Sequence, residues 1–307
     1  MRVIILGSAA GGGVPQWNCG CLNCTTARTE GRSRTQSSVA ISADGERWVL
    51  INASPDLRQQ LSTHQTLWPR QARGTPIVAV VLTDGEIDHT LGLLLLRESA
   101  AAIPVYAPEG VAALLRDTWP VYRVLSAYAG VEPRTLQEGS DGRDDRPIPL
   151  MDGSGSPLGI CCSATALARR PPRYAAAAPS ATFDVGLRLT DERTGRTLAY
   201  IPAAGALDEA VRRVAAGADL LLFDGTFWSD DELRAAGVAA PRAREMGHVP
   251  VGGAGGSLEL LPRLGAKRAV LVHINNTNPL LRRGSPERAL VEAAGVEVGE
   301  DGMEFEL

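Results

Sequence analysis

The stretch that decides the fold is the apolar run Ile77-Val-Ala-Val-Val-Leu82 and the turn that follows it, Thr83-Asp84-Gly85-Glu86-Ile87-Asp88-His89. The run is short, β-branched and uninterrupted, which is typical of a strand buried on both faces of a sheet. The apolar segment from Leu91 to Arg97 predicts a buried helix after the turn. The acidic and imidazole side chains therefore lie in a strand-to-helix turn at the carboxyl end of a strand, where α/β proteins bind ligands.

This turn offers ligands for a metal ion. Adjacent Asp88 and His89 supply one carboxylate and one imidazole, a donor set suited to zinc or ferrous iron. The alternative is that the acids only cap the following helix, with Asp88 as the N-cap residue. Short acidic turns are common in proteins, so the turn by itself leaves both interpretations open.

Composition limits the class of protein. The chain has 307 residues and a formal net charge of −4, and we predict one α/β domain that spans 1–307. No cluster of Lys and Arg stands out, so nucleic acid is not an expected partner. The apolar runs are far shorter than the ~20 residues of a membrane helix, and the beginning of the chain does not resemble a signal peptide. The sequence thus predicts a cytoplasmic protein with no membrane span.

The chain also contains a compact group of cysteines. Three of its five cysteines, Cys19, Cys21 and Cys24, form a C-x-C-x-x-C pattern whose thiolates are able to converge on one tetrahedral ion. Cysteines are uncommon and usually buried singly, so three ordinary packed cysteines so close together are the less favoured explanation. We predict a structural zinc site whose fourth ligand comes from elsewhere in the chain. Cys161 and Cys162 alternate faces on a predicted strand, and we expect no chemical role for them.

Three further polar residues lie near strand ends or glycine-rich turns. Asp224 and His273 each follow a short apolar run, and His248 lies in the segment Met-Gly-His-Val-Pro. Each of them alone is explained equally well as a hydrogen-bonded structural group. Together with His89, however, three of the chain's four histidines occupy such positions, and this pattern favours a common site. The fourth, His64, is assigned no role.

Other segments predict local structure only. The turn at Asp44-Gly45 predicts a hairpin between strands at 38–42 and 48–51. Residues 137–146 are rich in Gly and charge and predict a loop, and the Pro/Ala-rich segment 169–179 predicts a mobile flap. Two β-rich halves, each followed by helices, suggest two sheets packed face to face with helices outside.

Taken together, these motifs resemble the metallo-β-lactamase superfamily over nearly the whole chain. Within it, the chain resembles the pyrroloquinoline quinone (PQQ) biosynthesis protein B family. The motifs that carry this resemblance are long and jointly specific: Pro-Gln-Trp-Asn-Cys-Gly-Cys-Leu-Asn-Cys at 15–24, Thr-Asp-Gly-Glu-Ile-Asp-His-Thr-Leu-Gly-Leu at 83–93, Phe-Asp-Gly-Thr-Phe-Trp at 223–228, Met-Gly-His-Val-Pro at 246–250 and His-Ile-Asn-Asn-Thr-Asn-Pro at 273–279. The resemblance implies an α/β metallo-β-lactamase fold, which is a four-layer αββα sandwich.

The chain departs from the superfamily at the metal site. The usual turn reads His-x-His-x-Asp-His, but Asp84 and Glu86 stand where the two leading histidines would be, and alanine stands near Ala204 where a bridging carboxylate is usual. The resemblance leaves three ligands for the reactive metal: Asp88, His89 and His273. Two histidines and one carboxylate with open positions are associated with non-haem ferrous oxygen chemistry. Hydrolysis in this superfamily uses a hydroxide held between two metals. The residues that would bind the second metal are replaced here, which argues against that reaction.

The resemblance therefore implies a role in PQQ biosynthesis. The role proposed for the family is hydroxylation of the tyrosine ring of a small peptide-derived Glu-Tyr precursor, with Fe²⁺ at the reactive site and O₂ as the oxidant. Two alternatives belong to other classes: a soluble carrier that helps transport PQQ or its precursor to the periplasm, and a metal-dependent hydrolase of the phosphodiesterase type. Metal content measured together with oxygen consumption separates the three. The oligomeric state stays open, and a homodimer is among the expectations.

The resemblance also implies roles for the remaining site residues. His248 and Asp224 are expected close to the reactive metal as proton-transfer, orienting or additional ligating groups. Asn276 occupies the position at which related members place a histidine on the structural Zn²⁺, so it is a candidate fourth zinc ligand. For Asp84 and Glu86 we expect contact with an amine of the substrate. The alternatives for these two acids are a second hard cation or bracing of the turn.

Overall fold

The structure, a computed structural model, describes residues 1–139, 146–168, 171–175, 182–238 and 241–307. The predicted loop at 137–146 and the predicted flap at 169–179 therefore lie partly outside the described residues. The strands are, in chain order, β1 Arg2–Gly7, β2 Ser38–Ser42, β3 Trp48–Ile51, β4 Ile77–Val81, β5 Ile103–Pro108, β6 Val131–Leu136, β7 Glu138–Gly139, β8 Ile148–Met151, β9 Pro157–Ala166, β10 Val185–Asp191, β11 Thr197–Ile201, β12 Leu220–Asp224, β13 Ala269–Val272, β14 Val296–Val298 and β15 Glu304–Glu306.

Short helices connect these strands. The α-helices are α1 Leu22–Glu30, α2 Leu57–Thr63, α3 Ile87–Thr90, α4 Glu109–Ala113, α5 Val121–Leu125, α6 Glu209–Ala215, α7 Glu232–Ala235, α8 Ser257–Leu260 and α9 Pro286–Ala293. Single turns of 3₁₀-helix lie at Gln65–Leu67, Arg173–Ala175, Arg244–Met246, Leu261–Arg263 and Pro279–Leu281, with a longer one at Leu91–Glu98 and a π-helical turn at Leu114–Thr118. Over the ranges described above, none of these helices has the length and apolar character needed to span a bilayer.

The strands form two mixed sheets. In the described part of the chain, one sheet has seven strands in the order β15-β1-β2-β3-β4-β5-β6. The other has eight, in the order β14-β13-β12-β11-β10-β9-β7, with β8 paired to β9. Neighbouring strands from β3 to β6 and from β11 to β14 run parallel, so several carboxyl ends gather at one edge of each sheet. The predicted hairpin at Asp44-Gly45 is confirmed, because β2 and β3 pair antiparallel.

Apolar side chains on both faces of the strands create four layers. In β1, Val3 and Ile5 point into the core between the sheets, whereas Ile4 and Leu6 point toward the outer helices. This division follows from the two-residue alternation of side chains along a strand. The sheet that contains β1 packs its outer face on helices such as α2 and α4, and the other sheet packs its outer face on α6, α8 and α9. The predicted αββα sandwich is confirmed.

The segment after β4 differs from the prediction. The α-helix α3 has only four residues, and Glu86 is its N-cap residue in place of Asp88. A 3₁₀-helix follows at Leu91–Glu98, where the sequence predicts a buried helix; only Gly92 and Leu93 of it are buried, and Leu95 is 47% exposed. The backbone N–H of Gly92 donates to the carbonyl oxygen of Ala53 at 2.9 Å, and a Cβ at position 92 would lie 2.2 Å from the carbonyl oxygen of Ser54. This close packing against the residues after β3 replaces the regular helix that the apolar pattern predicts.

Candidate metal centre

The predicted ligands of the reactive metal come together at the facing edges of the two sheets. Asp88 and His89 lie in α3, just after β4, and His273 directly follows β13. One ligand atom from each residue lies within 4.8 Å of the other two. Asp88 Oδ2 lies 3.5 Å from His273 Nε2 and 3.9 Å from His89 Nε2. One sheet therefore supplies an aspartate and a histidine, and the other sheet supplies the second histidine.

Buried carboxylates hold two histidines of the site. Nδ1 of His89 lies 2.7 Å from Oδ2 of Asp84, and Nδ1 of His248 lies 2.8 Å from Oδ2 of Asp224. An ionised carboxylate only accepts hydrogen bonds, so Nδ1 donates in both pairs and Nε2 keeps its lone pair. Metal-binding histidines are commonly oriented in this way by a carboxylate on the other ring nitrogen.

In His273 too, Nδ1 carries the proton, but here it donates to a hydroxyl group. The hydroxyl of Thr226 donates to Asp224 Oδ1 at 2.6 Å, and it accepts a hydrogen bond from His273 Nδ1 at 2.8 Å. The backbone of His273 has φ 56°, in the left-handed region that residues with a Cβ rarely adopt. The next residue is fixed, because the carbonyl oxygen of Ile274 accepts from the N–H of Ala10 at 3.0 Å. Backbone strain that surrounding contacts maintain is typical of functional sites.

Asp84 acts on His89 and is separated from the cavity. It is 1% exposed, and besides His89 it accepts hydrogen bonds from the hydroxyl of Thr83 and the backbone N–H of Glu86, both at 2.9 Å. Both carboxylate oxygens are thus used inside the protein. The expectation that Asp84 contacts a substrate amine is therefore corrected, because its carboxylate orients His89. Glu86 does line the cavity, so a substrate contact by Glu86 stays a prediction.

Asp224 is also an orienting residue. Its ligand atoms group with those of His248 and His273, but its oxygens already accept from His248, from Thr226 and, at 2.8 Å, from the backbone N–H of Ala204. Burial works against ionisation of Asp224, but His248, His273 and the hydroxyl of Thr226 together outweigh it and hold the pKa of the carboxyl below its usual value. Of the roles predicted for Asp224, these contacts support the orienting one, since the buried carboxylate positions His248 and Thr226; its role as an additional metal ligand stays a prediction.

Asp88 is the carboxylate that reaches the cavity, with 18% of its side chain exposed. Burial works against its ionisation, but the adjacent His89 and His273 outweigh that effect and keep the pKa of the carboxyl well below its usual value. Gly11 allows this placement, because a Cβ there would lie 3.0 Å from Asp88 Oδ2. The cavity has a volume of about 930 Å³, and its wall includes all three candidate ligands together with His248 and Phe227.

The cysteines form a second convergent set. The sulfur atoms of Cys19, Cys21 and Cys24 lie within 4.8 Å of one another. Asn276 Nδ2 lies 3.0, 3.7 and 3.3 Å from these three sulfurs, respectively. Rotation of the amide by half a turn places Oδ1 at the same position, so Asn276 is able to offer an oxygen to an ion among the sulfurs. The side chain of Asn23 holds the loop by donating to the carbonyl oxygen of Asn276 at 2.9 Å.

A buried acid that the sequence did not predict, Glu232, stabilises the loop after β13, which lies beside both candidate metal sites. Glu232 is 7% exposed and accepts hydrogen bonds from the backbone N–H of Trp228 and the hydroxyl of Thr277, both at 2.6 Å. Burial raises the pKa of Glu232 to about 7, because the carboxylate loses its contact with water. The sequence around Glu232 looks like any acidic first turn of a helix, so no pattern distinguishes it.

We expect the substitution Glu232→Gln to change how stability depends on pH. A carboxyl whose folded pKa lies above its unfolded value contributes stability that is complete below the unfolded pKa and is lost as the pH rises through the folded pKa. The difference between 4.5 and about 7 corresponds to about 3 kcal/mol. From pH 5 to 8, the unfolding free energy of the parent should therefore fall by up to this amount relative to the variant, as measured by urea unfolding. The exposed Glu209→Gln serves as the control, and identical pH profiles for the parent and Glu232→Gln would contradict the prediction.

The two sheets with outer helices and the convergent Asp-His-His set define a protein of the metallo-β-lactamase class. Residues 47–274 match the family model of the Beta-lactamase superfamily domain. The chain is 45% identical over 309 residues to the coenzyme PQQ synthesis protein B of Cupriavidus necator, covering 99% of this chain and 98% of that protein. It is 45% identical over 317 residues to the protein of the same name from Methylococcus capsulatus, with 100% of both covered. The chain belongs to the coenzyme PQQ synthesis protein B family, as the sequence motifs predict.

Solved structures agree with this assignment. The Zn(2+)-bound PqqB from Methylobacterium extorquens has a TM-score of 0.89 to this structure at 40% sequence identity, with 100% of both chains covered. A diphosphatase from the PhnP family has a TM-score of 0.68 at 23% identity, covering 100% of this chain and 97% of that one. The second similarity concerns the fold alone. The predicted metallo-β-lactamase fold is confirmed.

Proposed function

We propose that this protein acts in PQQ biosynthesis as a mononuclear ferrous enzyme that uses O₂ to hydroxylate the tyrosine ring of a Glu-Tyr precursor. This proposal rests on which acids face the cavity and which are buried. Asp88 is available at the cavity beside His89 and His273, whereas Asp84 and Asp224 are buried and hydrogen-bonded to histidines. Asp88, His89 and His273 thus form the convergent set whose carboxylate faces the cavity. The other convergent set shares His273 with it, and its acid, Asp224, already accepts hydrogen bonds inside the protein.

The residues present fit a single ferrous ion. Asp88, His89 and His273 would hold it, since two histidines and one carboxylate with open positions are the donor set of many non-haem iron oxygenases. An iron ion bound there supplies the redox chemistry for insertion of one oxygen atom of O₂ into an aromatic C–H bond. The other oxygen atom leaves as water and requires two protons and two electrons, which a two-electron reductant must supply.

The protein's own part in the reaction is to orient groups and move a proton. His248 lies beside His273, with ring centroids 5.5 Å apart and ring planes inclined by 20°, but it does not converge with Asp88 and His89 in one set among the described residues. We therefore assign His248 as a proton acceptor. Its Nδ1 is held by Asp224 at 2.8 Å, so Nε2 is the atom that takes up a proton from the substrate.

The two alternative functions fit the site less well. A hydrolase of the phosphodiesterase type generally holds its hydroxide between two metals, but Asp84 already accepts hydrogen bonds from three donors and Asp224 from four. A soluble carrier of PQQ or its precursor needs a cavity, but it has no need for three histidines held in one tautomer.

The proposal is tested by loading the protein separately with Fe²⁺ and with Zn²⁺. We expect the iron form, supplied with Glu-Tyr dipeptide and ascorbate, to consume O₂ and yield a peptide heavier by one oxygen atom, and labelled O₂ should provide that atom. The zinc form should consume none. Two reactive-site metals per chain with phosphodiesterase activity would instead support the hydrolase. Tight binding of PQQ without any oxygen consumption would support the carrier.

A further inference from the structure

The wall of the reactive cavity has one charged feature that the proposed chemistry does not use. Among the described residues that line the cavity, Arg173 is the one lysine or arginine, and the same wall carries the acids Glu86, Asp88 and Glu245. Within the described wall, this guanidinium gives an otherwise acidic and imidazole-rich surface a place for an anionic group of a ligand.

Arg173 lies on a short segment, residues 171–175, that we call the strap. The strap is fastened to the metal-binding turn, because the hydroxyl of Tyr174 donates to the carbonyl oxygen of Gly85. The ring of Tyr174 also meets Trp119 edge to face, with centroids 6.2 Å apart. The position of Arg173 is therefore linked to the turn that carries the metal ligands.

Packing over Gly85 strengthens this link. A Cβ at position 85 would lie 3.1 Å from the hydroxyl oxygen of Tyr174 and 3.1 Å from Cδ1 of Leu114. Ala175, at the end of the strap, is buried in a small apolar cluster with Leu114 and Phe183. Since Tyr174 and Ala175, the two residues after Arg173, contact buried groups, the guanidinium is presented next to an anchored segment.

The guanidinium of Arg173 forms no hydrogen bond or ion pair with any residue in the described ranges. Some other surface arginines of this chain are paired; Arg196, for example, lies 2.7 Å from Asp219. Arg173 is exposed, so a ligand in the cavity reaches it without displacing a protein carboxylate. The planar fork of a guanidinium matches a carboxylate with two parallel hydrogen bonds.

We propose that Arg173 is the carboxylate receptor of the reactive cavity. It binds a carboxylate of the substrate and thereby sets how far the aromatic ring extends toward Asp88, His89 and His273. This inference rests on the proposed function for the identity of the ring, and it adds the requirement that a recognised substrate carries a carboxylate at a defined distance from that ring.

The test uses three variants and three peptides. The variants are Arg173→Gln, Arg173→Lys and the control Arg263→Gln, which removes another exposed arginine outside the cavity. The peptides are Glu-Tyr, Gln-Tyr and Glu-Tyr amide, so that each carboxylate is removed in turn. KM in the iron form is measured by oxygen consumption, and binding to the zinc form is measured by calorimetry, which needs no turnover.

For Glu-Tyr, we expect KM of Arg173→Gln to rise about tenfold with kcat changed by less than about twofold, as for loss of a charge-assisted hydrogen bond at an open site. Arg173→Lys should recover part of the affinity, because it keeps the charge without the fork. Arg263→Gln should match the parent. The parent should bind one of the two carboxylate-deleted peptides about tenfold more weakly than Glu-Tyr, and Arg173→Gln should lose this discrimination.

The possible outcomes distinguish the carboxylate-binding role of Arg173 from the proposed hydroxylase function. Unchanged KM and unchanged discrimination in Arg173→Gln, with hydroxylation intact, would overturn the receptor and leave the proposed function standing. Discrimination that depends on Arg173 in a protein that consumes no O₂ would support the receptor and overturn the hydroxylase. A parent that binds none of the three peptides would overturn the receptor as well.

Discussion

The substitution His273→Ala is expected to remove the reactive metal and reduce turnover to background. His273 is the one ligand of the convergent set that comes from the sheet containing β13, and its Nε2 lies 3.5 Å from Asp88 Oδ2. Loss of an outer partner of a metal ligand typically lowers metal affinity by about 10-fold to 100-fold, so loss of the ligand itself should exceed about 100-fold. Equilibrium dialysis of Fe²⁺ against the purified variant measures this change.

Two kinds of control make this result specific. His273 has a left-handed backbone, which asparagine tolerates better than alanine, so His273→Asn separates loss of the imidazole from backbone strain. His248→Ala should keep the metal but react about 10²-fold to 10⁴-fold more slowly, as for loss of a proton-transfer group. The half-buried His64 lies outside the cavity, and His64→Ala should resemble the parent. Parent-like iron affinity in both His273 variants would refute the ligand assignment.

The substitution Cys21→Ser is expected to release the structural zinc and destabilise the protein. Each of three thiolates would contribute to a site whose closure ties the start of α1 to the loop after β13. Loss of a structural metal belongs to the few mechanisms that lower the unfolding free energy by more than about 4 kcal/mol. Elemental analysis should show one zinc fewer per chain, and the midpoint of thermal unfolding should fall.

Cys161→Ser is the matched control, because Cys161 is also partly exposed but lies outside the convergent sulfur set. It should keep both the zinc and the stability of the parent. Asn276→Ala addresses the fourth ligand, and it should weaken zinc binding less than Cys21→Ser does, since a neutral oxygen donor is replaceable by water. Zinc content unchanged in Cys21→Ser would rule the site out.

Much of this architecture is readable from local pattern. The run that forms β4 and the run that forms β13 are recognisable because buried strands are short, apolar and β-branched. The polar residues directly after them, Asp88, His89 and His273, then mark carboxyl ends of strands. That these ends face each other across two different sheets does not follow from either run, and the family resemblance supplied it.

The roles of the acids were beyond local pattern. Asp84 and Glu86 are two residues apart in one turn and look alike in sequence, but Asp84 turns inward to His89 and Glu86 lines the cavity. Which way each side chain points depends on the backbone angles of the turn and on what packs against it. The pairing of Asp224 with His248 spans 24 residues, and a contact between distant segments of this kind is set by the tertiary fold.

The loop after β13 should make binding of the reactive metal depend on binding of the predicted zinc. Only Ile274 and Asn275 separate His273 from Asn276, so one short segment carries a candidate ligand of the reactive metal and a neighbour of all three cysteine sulfurs. We therefore expect a chelator that removes the predicted zinc to loosen the segment that presents His273. Protein that has lost this zinc should then bind iron less well than protein that has kept it, and zinc should be restored before iron when the metals are added back.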